Sequence, residues 1–137
     1  MAAETQDAMR VVMHALANSA TLTAIVASRI YGGSASTPDQ KSADYPRLTL
    51  PWRGGHRNGY SPVREYVFEA VSWSRTSADE ALSIQEVVLA TLQVERLTVS
   101  GITTAVLCRQ TSQPSIGYDE QARAWYASTR WVAQAFG

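Results

Sequence analysis

The sequence predicts an α+β domain. Helices cover one face of a mainly antiparallel four-stranded sheet, in the order helix, strand, strand, helix, strand, strand. Three observations carry this. One is a strand-to-helix unit over residues 63–93, reading VREYVFEAVSW, a polar link SRTS, then ADEALSIQEVVLATLQ. The second is a pair of period-two stretches behind it, residues 102–111 and 121–136. The third is the opening segment, residues 4–17, whose apolar positions recur at helical spacing. A chain of 137 residues can bury a real core as one domain, so residues 1–137 are read as a single unit.

In the first helix Ala8, Val12, Ala15 and Leu16 line one side, with Met9 and Met13 at its margin. His14 has no second His or Cys nearby, which fits a structural imidazole better than a ligand. Asn18-Ser19 breaks the helix. A short helical turn with Leu22, Ile25 and Val26 follows, and SRIYGG closes it with Gly32 and Gly33 as a turn. Residues 33–45 are polar, carry Gly, Pro and Ser, and read as an exposed loop. In YPRLTLPW, Leu48, Leu50 and Trp52 alternate with Arg47 and Thr49, which makes a strand. Pro46 and Pro51 cannot donate ladder hydrogen bonds and favour an edge position. Residues 53–62, RGGHRNGYSP, then form a flexible hairpin loop. Its Gly and Arg content invites a phosphate-binding reading. It lacks GxxxxGK[ST] spacing, however, and precedes a strand rather than a helix.

In the strand over 63–73, Tyr66, Phe68 and Ala70 face the core. The alternate face carries Glu65 and Glu69, and unpaired buried carboxylates are costly. That outer face also holds Val67, Val71 and Trp73. A half-apolar face is covered by another element or offered to another subunit. Ser77 with Glu80 fits a capping box, and Asp79 and Glu80 sit at the positive end of the helix dipole. Ala81, Ile84, Val88 and Leu92, with Leu82 and Leu89 alongside, form the stripe that packs on the sheet. LTVSG turns the chain. Ile102, Val106 and Cys108 share one face of the third strand. SQPSIGYDE reads as a loop. In the fourth strand Ala127, Thr129, Trp131 and Ala133 share a face, with Arg130 and Gln134 on the other.

Twelve basic and twelve acidic residues balance, which argues against a dedicated nucleic-acid binder. The balance hides an asymmetry. Residues 47–75 hold five Arg against two Glu, a net of +3, whereas residues 76–95 hold four acids and no Lys or Arg, a net of −4. Solvated surfaces explain this as well as a head-to-tail contact in which one copy's basic edge meets the next copy's acidic helix. Cys108 is the single cysteine, so no internal disulfide or cysteine metal cluster is expected, and it reads as a small buried hydrophobe. The first residues carry Glu4 and Asp7 without a continuous apolar run. Neither a secretory signal nor a membrane span is expected, which places the protein in the cytoplasm.

Enzymatic or ligand-binding chemistry would have to use His14, His56, Glu65, Glu69 or Cys108. Their spacing forms no Ser–His–Asp, Cys–His or metal-ligand signature. Glu65 and Glu69 would lie about 13 Å apart along a strand, too far for a closely coupled carboxylate pair. No cofactor and no metal are expected, and the chain is not read as an enzyme.

The opening helix, LTAIVASRIY and YPRLTLPW resemble the N-terminal half of the tail-completion, or tail-terminator, proteins of long-tailed bacteriophages. VFEAVSWSRTSADEA and the helix behind it resemble the middle of that family, and the last two strands agree in length and order. The resemblance spans almost the whole chain, although loop 53–62 is longer than the family pattern. It implies a small subunit of a ring, typically of six, that caps the head-proximal end of the tail tube, ends tube growth and offers the head-joining surface. Another head–tail joining adaptor of similar size is the alternative. The implied partners are further copies of the chain, the tail tube protein and a head–tail connector protein. DNA would be passing cargo only, with Arg53, Arg57 and Arg64 as candidates to line the lumen, and no membrane is involved. The implied location is the host cytoplasm during assembly and then the virion tail. The candidate subunit or tube interface is Arg53, His56, Arg57, Arg64, Glu65, Glu69, Trp73 and Glu86. Of the tryptophans, Trp52, Trp125 and Trp131 are expected in the core, and Trp73 is the one expected to reach an interface.

Overall fold

A computed structural model describes residues 2–27, 29–32, 45–57, 64–94, 96–99 and 101–136. In chain order they form α1 (Ala2–Ala17), α2 (Ala20–Val26), β1 (Ile30–Gly32), β2 (Arg47–Leu50), β3 (Trp52–Arg57), β4 (Arg64–Ser74), α3 (Ala78–Leu92), β5 (Leu97–Val99), β6 (Ile102–Gln110), β7 (Ser115–Asp119) and β8 (Ala124–Phe136).

Local chemistry sets the helix boundaries. The Ser19 hydroxyl accepts from the Leu22 amide at 3.2 Å and starts α2. The Ser77 hydroxyl accepts from the Glu80 amide at 3.1 Å and starts α3. The expected return bond of a capping box is rerouted. The Glu80 carboxylate accepts from the Ser74 hydroxyl at 2.7 Å, and Ser74 Oγ itself accepts from the Ser77 amide at 3.2 Å. The end of β4 and the start of α3 are thereby locked together.

β4 and β8 are the spine of the sheet. They pair antiparallel without a break from Arg64↔Ala135 to Ser74↔Trp125. Each is long enough to take two short strands end to end on its other edge. β4 takes β3 along residues 64–68 and β2 along 71–73. β8 takes β6 along 131–136 and β7 along 124–128. β1 adds to β2 in parallel and β5 to β6 antiparallel, giving eight strands among the described residues. All three helices pack on one face. α3 crosses β4 and β8, while α1 touches β6 and β5 at one end of the strand order and β1 at the other, so the sheet curls around it.

The alternation read from the sequence holds along the spine. Tyr66, Phe68, Ala70, Trp131 and Ala133 point inward and are buried against Val12, Leu16, Leu22, Ile84, Val88 and Leu92. Trp52 stacks on Phe68 at 4.7 Å between ring centroids, and Phe68 on Trp131 at 6.1 Å.

The four-stranded expectation is too small, for one physical reason. A short strand needs little signal of its own when a long strand offers a pre-formed edge. SRIYGG was expected to be a turn, but Ile30–Gly32 pairs in parallel with β2. β2 was expected at an edge, yet it lies between β1 and β4 with all four residues buried. Pro46 and Pro51 stand just outside its ladder residues, so neither removes a bond within it. The first part of the expected loop 53–62 is strand β3, which pairs with β4 across a bulge between Trp52 and Gly55. LTVSG contributes β5, with Gly101 at φ +88° in the turn to β6. SQPSIGYDE contains β7. Residues 33–44 of the expected polar loop and 58–62 of the expected hairpin loop lie outside the described residues.

Candidate functional site

The sheet has an outer face that no described helix covers. Along β4 it presents Glu65, Val67, Glu69 and Val71, all half-buried. Along β8 it presents Gln134, Val132, Arg130 and Ser128, which lie directly opposite those four in the register. Leu107 and Arg109 of β6 continue it. The Glu65 carboxylate accepts from Gln134 Nε2 at 3.0 Å, and Glu69 stands opposite Arg130. Each carboxylate on this face therefore has a polar cross-strand neighbour, while Val67, Val132 and Leu107 leave its centre apolar.

Of the interface residues expected from sequence, Glu65, Glu69 and Trp73 belong to this face, whereas Arg64 shares the alternate face with Tyr66 and Phe68. Arg64, Glu65 and Glu69 are on β4, and the β3 backbone places His56 opposite Glu65 and Arg57 opposite Arg64, with Arg53 on the same strand. Trp73 shares the face but is only 7% exposed. It is packed with Ala122, Ala124, Tyr45 and Tyr126, and its indole N–H donates to Thr49 Oγ1 at 3.0 Å. The expectation that it reaches an interface is corrected: the β7–β8 turn folds over it. The Asp119 carboxylate holds that turn by accepting from the Gln121 and Ala122 amides at 2.9 and 3.0 Å. Glu86 is exposed on α3, on the opposite side of the sheet from Glu65 and Glu69, and is not brought together with them.

A second feature was not read from the sequence. It is the helix-side surface of the β7–β8 hairpin. Ile116, Tyr118 and Trp125 on it are 49%, 48% and 38% exposed, and the Tyr118 and Trp125 rings meet edge to face at 5.0 Å. Trp125, expected in the core, is thus a surface residue. A groove of about 230 Å³ lies between α3 and the segment that leads from β6 into β7, lined by Leu82, Gln85, Glu86, Leu89, Gln113 and Pro114 among others. The signal available in the sequence was the alternation Ile116, Gly117, Tyr118, obscured by its flanking turn residues. Gly117 is required there because a Cβ would run into the Tyr126 ring that lies across it.

The titratable groups considered for chemistry lie on separate elements. Cys108 faces the core from β6, and burial pushes its thiol up to about 12 from an ordinary 9.0, which leaves it protonated and unreactive. His14 is exposed at the end of α1, where Asn18 Nδ2 approaches its ring at 3.2 Å. It borders an apolar cleft of about 450 Å³ shared with Met13, Ala17, Thr23, Ala27 and Ile30, where it is the only titratable lining residue among those described. Glu65 and Glu69 are on the outer face. Among the described residues no three His, Cys, Asp or Glu side chains gather as metal ligands. No single described helix is long and apolar enough to cross a membrane.

No family model matches the chain, and no curated protein matches it. Among solved structures it is similar to a chain of the virion of a native gene transfer agent (GTA) particle, at 17% identity and a TM-score of 0.69. The fold is shared with that virion chain. The similarity covers 92% of each chain.

Proposed function

We propose that this chain is a non-enzymatic structural protein of a phage-like particle. It forms a ring on the head-proximal end of the tail tube, ends tube growth and provides the surface to which the head joins. The observation that supports this reading most is the fold shared, over 92% of the chain, with a component of a GTA virion. The resemblance of the opening helix, YPRLTLPW and VFEAVSWSRTSADEA to the tail-terminator family supplies the finer role. The surface chemistry agrees with assembly by broad contacts. The outer sheet face is half-apolar, the titratable groups among the described residues do not converge, and the reactive candidate Cys108 is buried. A ring needs a contact between two different patches of the subunit that closes on itself. The partners on this reading are further copies, the tail tube protein and a head–tail connector. DNA passes through the ring, and assembly takes place in the host cytoplasm before incorporation into the tail.

Electron microscopy of particles made without this protein tests the reading. Overlong tails are the expected result. Tails of normal length that fail to join heads would instead assign it to a joining adaptor, and normal joined particles would remove both roles.

A further inference from the structure

We infer that β7 is a pairing edge for a second copy of this chain. Two copies join β7 to β7, antiparallel, about a twofold axis through Gly117, so that Ile116 of each meets Tyr118 of the other. This contact goes beyond the ring reading, which requires a different one between two unlike patches.

Four described strands have a ladder partner on one side only: β1, β3, β5 and β7. β1 and β5 are three residues long, the β5 register is shifted, and β3 carries a bulge. β7 instead pairs with β8 in five consecutive steps without a shift, and it contains neither Lys nor Pro. Shortness, bulges, Lys and Pro are what ordinarily keep an exposed edge from pairing. The helix-side surface of β7 is also left apolar. Ile116 and Tyr118 are 49% and 48% exposed, and the Tyr118 ring meets that of Trp125, itself 38% exposed. The N–H and C=O groups along the open edge call for another strand, and the side chains beside them call for an apolar one.

The β7 sequence, SIGYD, selects the occupant because it matches itself. Opposite residues of an antiparallel pair lie on the same face, so a twofold pairing centred on a residue keeps both helix layers on one side of the joined sheet. Centred on Gly117, all five residues pair. On the helix side Ile116 meets Tyr118 twice, a β-branched side chain against an aromatic one, which are favourable cross-strand neighbours. On the outer side Ser115 meets Asp119, so each carboxylate faces a hydroxyl rather than the other carboxylate. At the centre two glycines meet, each under the Tyr126 ring of its own copy. The neighbouring registers are worse. A centre on Ile116 sets Tyr118 against Pro114, which has no N–H to give, and a centre on Tyr118 sets Ile116 against the charge of Glu120. A foreign strand requires no such self-matching, whereas a pair of identical copies, in which each residue meets its counterpart's partner, does.

The test is self-association of the full chain, read by sedimentation velocity over a range of concentration, together with disulfide trapping of the register. The wild type should associate, and Ile116→Lys and Tyr118→Lys should each weaken association about tenfold or more. Leu89→Lys, which removes another exposed apolar side chain but lies on α3, should leave it unchanged. Circular dichroism melts keep loss of association apart from loss of folding. For the register, Ile116→Cys and Tyr118→Cys chains are mixed and oxidised with glutathione disulfide, with Cys108 buried and out of the exchange. The mixed disulfide should far exceed the two self-linked products together, and it reads this contact even where other contacts gather the chain into rings. A wild type that stays monomeric overturns the inference. So do assemblies of equal mass for wild type and Tyr118→Lys at every concentration, or a mixed disulfide no more abundant than chance. Failure here is distinct from failure of the functional reading. Tails that lengthen without the protein, while association ignores these variants, remove only the β7 pair. Trapping in the expected register with unchanged tails removes only the tail role.

Discussion

Gln85 is buried under α3, where the sequence placed an apolar stripe, and its substitution is the sharpest test of how α3 is fixed to the sheet. Its amide nitrogen donates to the Ala70 and Ala127 carbonyls at 2.7 and 2.8 Å, one on each spine strand. Its amide oxygen accepts from the Thr129 hydroxyl at 2.9 Å, and Thr129 Oγ1 accepts from the Trp131 indole at 2.8 Å. Gln85→Leu keeps most of the volume and removes three hydrogen bonds. At about 1 kcal/mol each the loss is ~3 kcal/mol, which for a chain of this size lowers Tm by about 10 °C. Gln85→Glu separates hydrogen bonding from packing. A carboxylate there would face two carbonyl oxygens, so its folded pKa must rise above the unfolded value of about 4.3. The neutral acid can still donate to one carbonyl. The stability of Gln85→Glu is therefore highest at acidic pH and falls as pH rises through the raised folded pKa. The assay is urea unfolding monitored by tryptophan fluorescence at pH 5 and pH 8. A Gln85→Leu chain as stable as wild type, or a Gln85→Glu chain no weaker at pH 8 than at pH 5 relative to wild type, would refute the reasoning.

Two further tests address the hairpin and the core. Gly117→Ala pushes a methyl group into the Tyr126 ring and should cost about 1–3 kcal/mol in thermal melts. The loss should shrink when Tyr126→Ala is added, and equal losses in both backgrounds would show that the ring is not the obstacle. Cys108, with its thiol held at about 12 by burial, should resist alkylation at pH 8 in the native protein and react at once in denaturant. Rapid labelling of the folded chain would mean that β6 opens far more readily than its place in the core implies.

The sequence by itself determined the spine and what lies over it. Period-two burial along Tyr66, Phe68 and Ala70 and along Ala127, Thr129, Trp131 and Ala133, the Ser77 cap, and the stripe Ala81, Ile84, Val88 and Leu92 are local patterns that each encode their own partner face. The tertiary structure alone decided which short segments become strands. Ile30–Gly32, Leu97–Val99 and Ser115–Asp119 are too brief to declare themselves and are strands because β2, β6 and β8 present edges to them. It also decided that Trp73 is covered and Trp125 is not. Both are spine residues, and their exposure depends on where the turn at residues 120–123 comes to rest, which no alternation encodes. Long-range pairing sets those outcomes, and it is written in the fit between distant edges rather than in any one stretch of the chain.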